Sequence, residues 1–291
     1  MTFEVHQLDR LDPAVQAAVR ELVASDPHSV DNPPISERGL LHLPAGPPFQ
    51  HFVAHDGGEL VGYLQCEETP DEVSLELVAA DTALADDLVA HAVALESGSG
   101  RRLMLWAHGA TSLVHHAARH NGFEAVRSLF QMRRPLAEPK LADQEPPPGI
   151  TIRTFVPGQD DADWLRVNAR AFAWHPEQAA WTQEDLAGRL ASDWFDPAGF
   201  FLAIRDGEIV GFHWTKIHNE VLGEVYVIGI DPDAQGLSLG GVLLNRGLQY
   251  LADKGLWTVA LYTEATNVRA MRLYGKFGFT EFSTDTRYAR N

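Results

Sequence analysis

Cysteine is nearly absent from the chain. The 291 residues contain one, Cys66, so no intrachain disulfide can form. Its neighbourhood, Leu60-Val-Gly-Tyr-Leu-Gln-Cys66, is apolar and strand-like, which suits a packed small hydrophobe better than a nucleophile. Positive charge is also scarce: 23 Lys and Arg against 40 Asp and Glu leave a net charge of −17. Such a surface repels nucleic acid and anionic membrane, so neither is an expected partner. No apolar run reaches the ~18 residues that a membrane span needs. The opening residues, MTFEVHQLDRLDP, show no basic segment followed by an apolar one, so no signal peptide is expected. The expected location is the cytoplasm and the expected state a monomer. Thirteen histidines are present, but none has His-Glu-x-x-His spacing, and one cysteine cannot make Cys-x-x-Cys. No metal is therefore expected. His42 and His51 flank a proline-rich loop and read as surface residues.

Apolar residues are plentiful, at 45%, enough for ordinary cores. The length suggests two domains. Residues 136–149 hold four prolines and several charges and read as a stiff linker. The expected organisation is one domain over 1–137, a linker over 138–149 and a second domain over 150–291. The two sides repeat each other. Phe52-Val-Ala-His-Asp-Gly-Gly-Glu-Leu-Val-Gly-Tyr63 matches Phe201-Leu-Ala-Ile-Arg-Asp-Gly-Glu-Ile-Val-Gly-Phe212 at a constant offset of 149. Both read as β-hairpins with a glycine turn. Asn121-Gly-Phe123 echoes Phe277-Gly-Phe279. A period this long means domain duplication, not a solenoid.

In the second half the periodicity predicts helices over 160–172 and 182–192, then strands over 200–205, 208–217 and 223–230. A helix over 239–254, a strand over 257–262, a helix over 267–276 and a strand over 279–288 follow. Gly255 and Asn267 supply the expected C-terminal stop and N-cap. The class is α+β, with helices flanking a mixed, mostly antiparallel sheet.

Between the strand ending at Ile230 and the helix opening near Leu239 lies Asp231-Pro-Asp-Ala-Gln-Gly-Leu-Ser-Leu-Gly-Gly241. Small residues ahead of a helix leave its free N–H groups facing outward, where they and the helix dipole favour an anion. The run is neither Walker A nor G-x-G-x-x-G, and alone it reads more readily as a plain strand–helix turn. About 30 residues on comes Asn267-Val-Arg-Ala-Met-Arg-Leu-Tyr274-Gly-Lys-Phe-Gly-Phe279.

Taken together, Gln-x-x-Ser-x-Gly and Asn-x-x-Ala-x-x-x-Tyr-x-x-x-Gly-Phe resemble the GCN5-related N-acetyltransferase (GNAT) family, and the duplication resembles a tandem GNAT arrangement. The family pattern for the first motif has glycine where this chain has Ser238. The resemblance implies acetyl-CoA as co-substrate. Its pyrophosphate would rest on Gln235, Gly236, Leu237, Ser238, Leu239, Gly240 and Gly241. Its pantetheine arm would lie along Ile228, Gly229 and Ile230, and Asn267, Val268, Arg269, Ala270, Met271 and Arg272 would flank it. A splayed or bulged strand at Gly229 would free those strand groups. Phe172-Ala-Trp-His-Pro-Glu177-Gln, Gly211-Phe-His-Trp-Thr-Lys216 and Leu222-Gly-Glu-Val-Tyr-Val narrow the likeness. They resemble a tandem branch of the family that acetylates the cysteinyl amine of cysteinyl-glucosaminyl-inositol. Alternatives are another small amine, such as an aminoglycoside, or a non-catalytic acetyl-CoA-binding module.

Acetyl transfer to an amine needs a base for the ammonium, donors for the oxyanion and an acid for the leaving thiolate. Glu224 is the base candidate, its alternative being a solvent-facing strand residue. Tyr274 is the acid candidate, its alternative being a core aromatic. By resemblance Glu37, Glu177, Lys216, Glu224 and Tyr262 contact the substrate. In the first half, residues 80–87 have no glycine and gain aspartates where the second half has its loop. That half is expected not to catalyse, although Leu77, Val78 and Ala79 are candidates for weak acetyl-CoA binding.

Overall fold

The computed structural model describes residues 3–27, 32–109, 112–138, 140–142 and 144–291, without the side chains of residues 112, 176 and 177. In chain order the elements of the first half are β1 (Glu4–Leu8), α1 (Pro13–Ser25), α2 (Glu37–Leu41), β2 (Phe49–Asp56), β3 (Glu59–Glu68), β4 (Glu72–Ala79), α3 (Thr82–Leu95), β5 (Arg102–Ala107), α4 (Ser112–His120) and β6 (Glu124–Pro135). There follow β7 (Ile150–Thr154), α5 (Asp161–Ala171), α6 (Pro176–Ala179), α7 (Gln183–Leu190), β8 (Phe200–Arg205), β9 (Glu208–Ile217), β10 (Leu222–Ile230), α8 (Leu239–Asp253), β11 (Thr258–Glu264), α9 (Val268–Lys276) and β12 (Thr280–Arg290). The strands at 200–205 and 208–217 and the major helices of the second half fall within two residues of their predicted bounds. β7 and α6 were not anticipated, being too short for a periodicity to show.

The chain forms two compact units, residues 1–130 with 283–291, and residues 131–282. These boundaries differ from those expected at the proline-rich segment. Composition marked residues 138–149, but strand pairing decides the units. In the first, the sheet order is β1-β2-β3-β4-β5-β12, and β12 closes it antiparallel to β5, from Thr286↔Ala107 to Arg290↔Leu103. In the second it is β11-β10-β9-β8-β7, with the end of β6 from Gln131 on beside β11. The described residues of the proline-rich segment are irregular backbone packed within this unit. Leu136 N–H donates to the Trp257 carbonyl at 2.8 Å, and the Asn245 amide donates to the Ala142 carbonyl at 2.9 Å.

The repeat survives in detail. Gly57 and Gly58 turn the β2–β3 hairpin with φ of 59° and 91°; Asp206 and Gly207 turn β8–β9 with φ of 53° and 84°. Two consecutive positive φ values match the right-handed twist of the strands. A register shift falls between Ala54 and His55 in one hairpin and between Ala203 and Ile204 in the other, again 149 apart.

Each unit then pairs two strands in parallel, β4 with β5 and β10 with β11. In the second unit α5 and α7 cover one sheet face, where buried Trp164 packs on Phe200, Phe212 and Trp214. On the other face α8 packs Leu239 and Leu243 against Phe201, Ala203 and Val210. Lys254 caps α8, and Gly255 beyond it, at φ 83°, ends the helix as expected. No described helix is long and apolar enough to cross a membrane.

Candidate active site

β10 and β11 part company at Glu224. Their parallel register is Leu222↔Thr258, Gly223↔Val259 and Glu224↔Ala260. β10 nevertheless continues to Ile230 and β11 to Glu264. Past Glu224 the described strands no longer pair, so a notch opens beside the backbone of Val225–Ile230. A bulge sharpens the divergence. β9 and β10 align Val225 with Thr215 and Val227 with Trp214, leaving Tyr226 as the extra residue. The bulge therefore sits at Tyr226 and not at Gly229, which pairs regularly with Phe212. Gly229 is small for a packing reason: a Cβ there would lie 2.9 Å from the Phe212 ring.

Glu224 is buried, with 8% of its surface exposed. It stands opposite Lys216 in the β9–β10 register, so both side chains share the face covered by α5 and α7. The buried Lys216 ammonium lies 4.6 Å from the Trp194 ring centre and 5.3 Å from that of Tyr226, within cation–π range. The Tyr226 hydroxyl accepts from Arg189 at 2.9 Å. Alternation along β11 from Ala260 places Tyr262 and Glu264 on this face too. Tyr262 accepts a 2.6 Å hydrogen bond from the Gln131 amide. Glu264 approaches His175 at 3.8 Å.

His218 completes the cluster. Its Nε2 lies 2.6 Å from Glu224 Oε2. Its signal was present in the sequence, since His218 follows Lys216 by two residues and so shares its face.

The loop after β10 is exposed from Gln235 to Ser238. Ser238 is the N-cap of α8 in a left-handed conformation, φ 60° and ψ 14°, and its side chain makes no cap hydrogen bond. The N-terminal amides of α8 therefore keep no side-chain acceptor from their own cap, as an anion site requires. This conformation also explains the glycine of the family pattern, because left-handed backbone strains any residue with a Cβ. Gln235 Oε1 accepts from Arg269 at 2.7 Å, joining the loop to α9. Asn267 caps α9 through Ala270 N–H at 3.1 Å. Val268, Arg269, Ala270, Met271 and Arg272 form the first turns of that helix. Arg170 of α5, which the sequence reading missed, fixes the start of the loop. It bonds Asp231 at 2.7 and 2.9 Å and Asp233 at 2.7 Å. Those bonds hold the Asp231 carboxyl below the usual carboxylate range.

Tyr274 is buried in α9 and packs edge-on against Phe279. Burial pushes its hydroxyl up to about 12, so it is protonated at neutral pH. The side chain of Glu177 lies outside the described residues. Glu37 is exposed at the start of α2 in the first unit.

The first unit keeps the frame of this site without its chemistry. The β3–β4 register sets Ser74 opposite Glu67, where the second unit has Glu224 opposite Lys216. No bulge interrupts that register. Leu77, Val78 and Ala79 end β4, and only residues 80–81 separate it from α3, against residues 231–238 in the second unit. Asp81 caps α3 itself, its carboxylate accepting from Leu84 N–H at 2.9 Å.

Glu76 is occupied elsewhere, accepting from Ser36 N–H at 2.8 Å beside a His108–Asp285 pair at 3.0 Å. His51 corrects the surface expectation. It is fully buried, bonded to the Tyr63 hydroxyl at 2.8 Å and the Ala45 carbonyl at 3.1 Å. Among the described residues one group, Asp86, His116 and His120, brings metal-ligand atoms together; both imidazoles are more than half exposed.

A parallel strand pair that splays beside a helix N-terminus, with a buried carboxylate at the point of splay, defines the acetyltransferase class of α+β fold. The model of the acetyltransferase (GNAT) family matches residues 166–279. Among solved structures, a tandem GNAT protein from the clavulanic acid biosynthesis pathway superposes with a TM-score of 0.75 at 17% identity, over 99% of this chain and 98% of that one. A GCN5-related N-acetyltransferase from Sphaerobacter thermophilus gives 0.72 at 23% identity, over 99% and 95%. These two share the fold. Mycothiol acetyltransferase of Streptomyces griseus is 45% identical over 98% of this chain and 95% of its own. That of Nocardia farcinica is 41% identical over 99% and 98%. The chain belongs to the mycothiol acetyltransferase family.

Proposed function

We infer that the chain transfers acetyl from acetyl-CoA to the cysteinyl amine of 1D-myo-inositol 2-(L-cysteinylamino)-2-deoxy-α-D-glucopyranoside, the last step of mycothiol biosynthesis. The relatives support the acceptor, and the buried Glu224 at the parting of β10 and β11 is the observation that carries the chemistry. Glu224 takes a proton from the substrate ammonium, directly or through a water: an N–H bond breaks and an O–H bond forms. The free amine attacks the thioester carbonyl, and N–H groups of β10 past Glu224 donate to the oxyanion. A C–N bond forms and the C–S bond breaks. Tyr274, with its hydroxyl near 12, is a weaker acid than a thiol of about 8.5. Complete proton transfer from it is therefore uphill, and Tyr274 serves as a hydrogen-bond donor to the departing sulfur. The attacking nitrogen, which still carries one proton more than an amide, releases it to water, and water in turn protonates the departing thiolate.

The pantetheine arm lies along Ile228–Ile230 and the pyrophosphate over Gln235–Gly241, with Asn267–Arg272 alongside. Lys216 and Tyr262 contact the sugar and inositol hydroxyls. The first unit does not catalyse, and its Leu77–Ala79 segment binds acetyl-CoA weakly at most. Its Ser74, short 80–81 connection and self-capped α3 favour that reading.

The test is CoA release from acetyl-CoA with the cysteinyl sugar as acceptor and an aminoglycoside as comparison. Glu224→Ala and Tyr274→Phe should each lose one to several orders of magnitude in kcat. Wild-type rates in both variants would refute the roles, and faster turnover of the aminoglycoside would refute the acceptor.

A further inference from the structure

We propose that His218 is a positioning residue for Glu224, holding one carboxylate oxygen so that the other meets the substrate amine. The proposal rests on the reading of Glu224 as the base. The turn that carries His218 is tied at three points. His218 N–H donates to the Leu222 carbonyl at 2.9 Å. The Asn219 side-chain oxygen accepts from Val221 N–H and Leu222 N–H, each at 3.0 Å. An imidazole on so short and so bonded a turn has little freedom to leave the strand pair. Its Nε2 then sits 2.6 Å from Glu224 Oε2. An ionised carboxylate only accepts hydrogen bonds, so Nε2–H is the donor, and a charge-shared bond of this length is among the stronger kinds.

Glu224 has two oxygens and this one side-chain hydrogen bond among the described residues. Oε2 is committed and Oε1 is open. Without His218 the carboxylate could turn about its last torsion, which is soft and twofold, and present either oxygen or neither. With it, the proton leaving the ammonium has one defined destination: the N–H bond breaks and an Oε1–H bond forms. Exposure runs the same way, since the Glu224 side chain is 11% exposed and His218 36%. His218 thus closes the outer side of the carboxylate and leaves the inner side to the substrate.

Three substitutions separate this role from packing. His218→Ala removes the donor and the volume, His218→Phe the donor alone, and His218→Gln keeps an N–H donor of similar reach. In turnover with acetyl-CoA and the cysteinyl sugar, His218→Ala and His218→Phe should lose about 10- to 100-fold in kcat, the scale of a misplaced catalytic group. KM for acetyl-CoA should stay within about threefold, and His218→Gln should recover most of the loss. In a Glu224→Gln background, His218→Phe should cost nothing further, because coupled residues are not additive. Equal rates in His218→Phe and His218→Gln, or wild-type kcat in His218→Ala, would overturn the proposal. A full extra loss in the double variant would do the same. If His218→Ala does not fold, the Phe–Gln contrast decides. Glu224→Gln alone at the wild-type rate would instead sink the reading of Glu224, which keeps the two failures distinct.

Discussion

Arg170 grips Asp231 with two nitrogens, at 2.7 and 2.9 Å. One residue comes from the helix over the sheet and the other opens the loop that leads to the N-terminus of α8. A guanidinium matched to a carboxylate fixes direction as well as distance. Arg170→Ala should therefore loosen the loop and raise KM for acetyl-CoA by roughly an order of magnitude. Because Arg170 touches no reacting atom in this reading, kcat should change much less. Steady-state kinetics at saturating acceptor would check it, and an unchanged KM would show that the loop holds its shape unaided.

Ser238 occupies a backbone conformation that costs a residue with a Cβ about 1 kcal/mol or more. Ser238→Gly should relieve that strain, partly offset by glycine's freedom in the unfolded chain. Acetyl-CoA binding in the variant should equal or exceed wild type by calorimetry. A large loss would mean that the serine hydroxyl itself holds phosphate. The same titration on wild type should find one tight acetyl-CoA site per chain, since the first unit lacks the loop. Two tight sites would contradict that reading.

His213 predicts how stability responds to acid. It is fully buried between β9 and α8, with Nδ1 2.8 Å from the Leu243 carbonyl. Burial pushes its pKa from 6.5 down to about 4. A depressed value in the fold means that stability is complete above the unfolded value and falls as pH drops from 6.5 towards 4. The loss from this one ring is on the order of 3 kcal/mol. His51, lowered by burial in the first unit, acts in the same direction. Denaturant titrations at pH 7 and pH 4.5 would measure it. Tryptophan fluorescence follows the second unit, which holds every tryptophan except Trp106. Gly247 leaves the room that His213 needs: a Cβ there would fall 2.1 Å from its ring. Gly247→Ala should cost about 1–3 kcal/mol by overpacking.

The sequence revealed most where residue type and spacing act locally. Apolar alternation gave β8 and β9 to the residue, and Asn267 and Gly255 marked helix ends because capping is local chemistry. Glu224 stood out as a carboxylate in an apolar strand. What escaped depends on pairing across distance. The extra residue at Tyr226 shows only against β9. Arg170 meets Asp231 across 61 positions, and no local pattern links them. The first-half counterpart of Glu224 is a matter of pairing too: strand register sets Ser74 at that position. The domain boundary followed prolines, while the sheets exchange their closing strands.

Translation gives that exchange a consequence. The first unit contains residues 283–291, which are synthesised after the whole of the second unit. Domains ordinarily fold in order as the chain emerges, but here the first sheet lacks β12 until residues 280–290 have been made. The half that is translated first is thus completed last. A stop at residue 283 would strike the unit built mainly from residues 1–130.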